Sequence, residues 1–143
     1  MEDTLKISVL IQADTSNVWE ALTNPQLIKL YLFGTEAISD WKVGSPLIFK
    51  GIWEGKEYID KGVILVYHPK WVLKYTYLSS FSGLPDSPEN YDTITYELNS
   101  KNDESTTLTV YQNHITPERR ERASKDWSIV LDKLKEVVEK RVK

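Results

Sequence analysis

TPERRERASKDWSIVLDKLKEVVEKRV, residues 116–142, is the stretch that decides the fold. Thr116 stands where a helix cap belongs and Pro117 at a first helical position, and no further Pro or Gly follows. Ala123, Trp127, Val130, Leu131, Leu134, Val137 and Val138 recur at helical spacing and make one apolar stripe. Lys, Arg and Glu fill the other faces. At about 1.5 Å per residue such a helix runs roughly 35–40 Å. A helix of that length with one apolar face needs a sheet to lie across.

The sheet is legible upstream. Residues 4–12 (TLKISVLIQ) alternate, with Leu5, Ile7, Val9 and Ile11 on one face, as a half-buried strand does. Asp14 then caps a helix carrying Val18, Trp19 and Leu22. Asn24-Pro25 ends that helix and starts a second one bearing Leu27, Ile28, Tyr31 and Leu32. From Phe33 to Asn113 the chain reads as strand and turn, with β segments near 35–39, 47–53, 57–67, 71–80, 91–99 and 105–112. Turn chemistry separates them at residues 42–46, at Glu54-Gly55-Lys56, at His68-Pro69 and at Asn99 to Asp103. Hairpin-length connections predict an antiparallel meander of six or seven strands. Residues 80–90 (SFSGLPDSPEN) are too long for a tight hairpin and are expected to form a mobile flap over one end of the sheet. The expectation is a single α+β domain over residues 1–143, its curved sheet gripping the last helix.

Composition narrows the function. The chain has 143 residues and a net charge of −3, without the basic face that nucleic-acid binding requires. Its longest apolar run, Val63 to Tyr67, is far short of the roughly 20 residues of a membrane span. No secretory leader is read at the N-terminus and there is no cysteine, which sets a cytoplasmic address as the expectation. Five Trp and eight Tyr are the unusual feature, able to fill a core or to line a cavity.

The element order resembles the helix-grip fold, also called START-like or SRPBCC. The wording within it is similar to one branch, the family of the C-terminal domain of the heat-shock-protein ATPase activator. The residues that carry the likeness are Val18-Trp19, Asn24-Pro25, the strand from Gly62 to Pro69, and Leu73, Tyr75 and Tyr77. Thr107-Leu108-Thr109, Thr116-Pro117 and Trp127 with Leu131 and Leu134 complete it. Asp126 stands where family members often have Gly, and Gln112 where related domains frequently place a His. The resemblance implies a hollow between sheet and helix, and it raises a polyketide cyclase or dehydratase-like enzyme and a chaperone-partner or stress-response module as alternatives.

Strand alternation puts Leu73, Tyr75 and Tyr77 on one face, as it does Ile94, Tyr96 and Leu98, and Leu108, Val110 and Gln112. Phe49 and Trp53 are expected to extend this wall and Trp127 to close it from the helix. The candidate ligand-binding set is therefore Phe49, Trp53, Leu73, Tyr75, Tyr77, Ile94, Tyr96, Val110, Gln112 and Trp127, for a small hydrophobic or aromatic ligand. No catalytic residue, metal site or cofactor is expected: His68 and His114 read as turn residues, and two distant His without Cys make a poor zinc site. Glu54, Glu57, Asp60, Asp92 and Glu97 are read as solvent-facing, and Arg119, Arg120, Arg122 and Lys125 as a solvated mixed-charge face. A homodimer through an exposed Trp19 or Trp41 and a chaperone partner both stay open.

Overall fold

In the computed structural model, which describes residues 3–142, β1 (Leu5–Ile11) leads into α1 (Thr15–Thr23) and α2 (Pro25–Tyr31). A meander follows: β2 (Glu36–Ser39), β3 (Pro46–Trp53), β4 (Lys56–His68), β5 (Val72–Tyr77), β6 (Asp92–Asn102) and β7 (Ser105–Gln112). The long helix α3 (Pro117–Arg141) ends the chain. All seven strands form one antiparallel sheet in the order β1-β7-β6-β5-β4-β3-β2, the α+β helix-grip arrangement. Strands β1 and β2 occupy opposite edges, so α1 and α2 carry the chain across the sheet.

Local chemistry sets these boundaries. The Asp14 carboxylate accepts the Asn17 N–H at 2.9 Å and caps α1. Asn24 ends α1 and caps α2 through its side-chain oxygen, which accepts from Gln26 N at 2.9 Å, with Pro25 next in the chain. Thr116 holds the N-cap position of α3, but its side chain makes no capping bond, and Arg119 N donates to its backbone oxygen instead. The expected turn at Asn99 to Asp103 is shorter than read. Strand β6 continues to Asn102 through an irregularity between Ser100 and Asn102, and the reversal occupies Asp103-Glu104.

The core lies between the sheet and α3. Leu131, Leu134 and Val138 are buried, and α3 packs on β1, α1 and α2. Trp19, offered above as an exposed dimer contact, is only 8% exposed and meets Tyr67 edge to face at 5.3 Å. Trp41 is half-buried and packs against the same core. The physical reason is the crossing of α1 over the sheet, which turns the Val18-Trp19 face inward. Toward its N-terminus α3 carries mainly exposed residues. There helix and sheet diverge.

Among the described residues no helix is long and apolar enough to cross a membrane.

Candidate functional site

Where α3 leaves the sheet, a cavity of about 700 Å³ opens. A chain of rings crosses its floor. Tyr77 and Phe49 lie 6.1 Å apart, Phe49 and Tyr75 5.9 Å, Tyr75 and Tyr96 6.4 Å, and Tyr96 and Trp127 6.0 Å between centroids. Strands β3, β5 and β6 thus contribute one continuous aromatic surface that ends on the helix. Ala123, Trp127 and Val130 form the roof, and Leu32 and Ile115 add further apolar wall. Phe33 and Phe81, each in a turn, and Trp53, the last residue of β3, are exposed yet also face the cavity. Phe33 sits at φ +55° just beyond α2, a backbone position that a bulky residue rarely holds.

Eight of the ten residues named from the sequence line this space: Phe49, Trp53, Tyr75, Tyr77, Ile94, Tyr96, Gln112 and Trp127. Trp53 does so as a largely exposed residue, at 55%. Leu73 and Val110 are a correction. Both are buried and inward-facing, but they belong to the packed core rather than to the cavity wall. In register they flank Tyr96, as the pairs Leu73↔Tyr96 and Tyr96↔Val110. The long Tyr96 ring reaches the cavity from that row, and the shorter Leu and Val side chains do not.

Gln112 is not a free polar tip. Its Oε1 accepts the Trp127 indole N–H at 2.7 Å, and its Nε2 donates to Asp92 Oδ2 at 2.8 Å. His114 Nδ1 stands 3.2 Å from the other Asp92 oxygen. The bridge fixes the amide orientation and ties α3 to β6 and β7 at the cavity rim. Asp92 was read as solvent-facing, yet it is a half-buried partner in this network.

Asp60 overturns the same reading more sharply. It is 7% exposed, lines the cavity, and accepts three hydrogen bonds. Tyr77 Oη donates to Oδ2 at 2.5 Å, while Ser80 N and Ser80 Oγ donate to Oδ1 at 2.8 and 3.1 Å. Along β4 the inward positions are Tyr58, Asp60, Gly62 and Ile64, and Ile59 and Val63 face outward and exposed. Beyond Ile64 a bulge switches the parity, so Tyr67 is the next partly buried residue against the core. Apolar residues on the outer face and an acid on the inner one hide this arrangement from any reading of alternation. The available signal was a lone acid in mid-strand between aromatic and glycine positions.

Tyr58 was also missed; it lines the cavity, hydrogen-bonds Thr35 and stacks near Phe81 at 5.7 Å. Arg119 and Arg122, assigned above to solvent, border the cavity beside Glu118 and Asp126. The loop after β5 is tied down by an ion pair between Lys61 and Asp86 and by Tyr91 Oη donating to Asp86 Oδ1 at 2.7 Å.

Burial pushes the hydroxyls of Tyr75 and Tyr96 well above the usual phenol range. Burial does the same to Tyr77, with the adjacent Asp60 carboxylate as the second cause. At neutral pH all three are neutral donors, unsuited to act as phenolate bases or nucleophiles. Among the described residues no three His, Asp or Glu side chains gather as metal ligands.

Comparison with known proteins places this geometry. A protein of Cytophaga hutchinsonii with a known solution structure is 37% identical, with 97% of this chain and 95% of that one covered and a TM-score of 0.83. CalU16 from Micromonospora echinospora is 20% identical, over 94% of this chain and 75% of that one, with a TM-score of 0.72. The Aha1 dimer of Colwellia psychrerythraea provides a chain 17% identical, covered at 95% and 96%, with a TM-score of 0.73. At such identities the last two speak for the fold alone. No curated protein matches the sequence. The family model described as Activator of Hsp90 ATPase homolog 1-like protein matches residues 12–139, nearly the whole chain, and the chain belongs to that family.

Proposed function

We propose that the chain binds a small hydrophobic or aromatic molecule in the cavity between the sheet and the N-terminal half of α3. The observation that carries this reading is the unbroken row of rings from Tyr77 to Trp127 facing about 700 Å³ of space. That volume lies within the range typical of small-molecule sites, where apolar walls supply affinity and a few polar atoms supply orientation. The phenol hydroxyls that would touch the ligand stay protonated at neutral pH, which favours binding over base chemistry.

The test is fluorescence titration with the apolar probe N-phenylnaphthylamine, repeated on Ala123→Trp. Ala123 is half-buried in the cavity roof, so an indole there fills the space without touching Leu131 or Leu134. The unmodified protein is expected to bind the probe, and Ala123→Trp to lose at least roughly tenfold in affinity with an unchanged unfolding temperature. Probe binding that survives the substitution refutes the cavity as the site.

A second reading, an enzyme of the polyketide cyclase or dehydratase kind, draws on the Asp60–Tyr77 pair, an ionisable group and a hydroxyl donor held together inside the cavity. DynU16, from the dynemicin biosynthetic locus, shares the fold at 18% identity and a TM-score of 0.78, with 97% of this chain and 48% of that one covered. Turnover of a polyketide substrate that disappears in Asp60→Asn separates this reading from simple binding. Partner roles, as a homodimer like that of the Colwellia psychrerythraea protein or beside a chaperone ATPase, are read by light scattering and by co-purification.

A further inference from the structure

Asp60 is a carboxylate inside an aromatic cavity, and every partner it has is neutral. Tyr77 Oη, Ser80 N and Ser80 Oγ supply three donors. Among the described residues no lysine or arginine lies within ion-pairing distance of it; the adjacent Lys61 points away and pairs with Asp86. A carboxylate offers about four lone-pair sites, so one on Oδ2 is left over. Burying a negative charge without a counter-cation is costly, and neutral donors offset only part of that cost.

The surroundings favour positive charge as well. Phe49 is the cross-strand partner of Asp60, and its ring lies 6.1 Å from that of Tyr77. Tyr58 and Phe81 add a second pair of rings on the same wall, 5.7 Å apart. Ring faces carry negative potential and attract cations, most strongly where water is excluded. The entrance carries both signs, Arg119 and Arg122 against Glu118 and Asp126, and Arg119 is engaged with the His114 carbonyl at 3.2 Å. Asp60 is therefore the one charged side chain of the lining that is deeply buried.

We infer that the cavity selects an organic amine, with its ammonium group against Asp60 and the Phe49, Tyr58 and Tyr77 rings, and its apolar body along Tyr75, Tyr96 and Trp127. This rests on the ligand-binding reading above and names the ligand's chemical class. Charge-assisted hydrogen bonds are about twice as strong as neutral ones, so the ammonium gains over a hydroxyl of the same shape.

Three probes of one shape separate the outcomes: naphthylmethylamine, naphthylmethanol and naphthoate, each titrated by amide NMR shifts into the unmodified protein and into Asp60→Asn. The amine is expected to bind roughly tenfold tighter than the alcohol, and the acid weakest. Asp60→Asn keeps a carbonyl oxygen for Ser80 N and is expected to erase the amine's advantage while the alcohol stays within about twofold. If Asp60→Asn fails to fold, the ranking of the three probes on the unmodified protein decides. Equal affinities, or a preference for the alcohol or the acid, overturn the amine and leave the cavity reading standing. No shift at cavity residues with any probe overturns both.

Discussion

Gly62 marks the point where β4 and β5 come too close for any side chain, and the wall of the cavity depends on that approach. A Cβ built there would lie 1.6 Å from the Thr76 carbonyl oxygen and 2.4 Å from its carbon. Carbon and oxygen need roughly 3.3 Å between them, so Gly62→Ala forces the two backbones apart by more than about 1.5 Å. Three hydrogen bonds span the gap: Val63 N to Thr76 Oγ1 at 2.9 Å, Leu78 N to Lys61 O at 2.8 Å, and Lys61 N to Leu78 O at 3.2 Å. At about 1 kcal/mol each, less what water recovers on the exposed side, their loss with the added strain costs about 2–4 kcal/mol. In a chain of this length that lowers the unfolding temperature by roughly 10 °C. Urea denaturation followed by circular dichroism measures it, with Gly34→Ala as the control. Gly34 has φ +88° but nothing within 4 Å, so its cost is the backbone term alone, about 1–2 kcal/mol. The displaced segment carries Asp60, and Gly62→Ala is expected to weaken probe binding too. A change below about 0.5 kcal/mol, the scatter of ordinary surface substitutions, refutes the close approach.

Tyr31, Tyr75, Tyr77 and Tyr96 all have hydroxyls raised above their ordinary value, burial being the first cause in each. Below about pH 10 both folded and unfolded chains keep these protons; above it the unfolded chain releases them and the folded one does not, so stability falls as pH rises. Ultraviolet titration is expected to show four of the eight tyrosines ionising only as the protein unfolds, and free, reversible titration of all eight in the native state contradicts their burial. Gln112→Leu removes the acceptor for Trp127 and the donor to Asp92, and is expected to cost about 2 kcal/mol by thermal unfolding. Gln112→Glu keeps the acceptor but places a second carboxylate against Asp92, and unmodified stability in both variants means that the bridge does not hold α3.

Residues 116–142 by themselves determined the long helix, because its stripe, its Pro117 and the lack of later breakers act within a turn or two of chain. The Asp14 and Asn24 caps and most of the meander were legible for the same local reason. The alternating faces of β5, β6 and β7 also placed Tyr75, Tyr77, Ile94, Tyr96 and Gln112 on the inner side. What the sequence left undecided depends on how far apart separate elements end up. The divergence of α3 from the sheet separates the cavity row at Tyr75 and Ile94 from the packed row at Leu73 and Val110, and alternation treats both rows alike. The crossing of α1 buried Trp19. The bulge after Ile64 changed which residues of β4 face inward, so an acid at position 60 points into the cavity while Ile59 and Val63 face out. Local chemistry chooses the elements; only their mutual packing decides which side chains a ligand would meet, because burial belongs to the space between elements and not to any one of them.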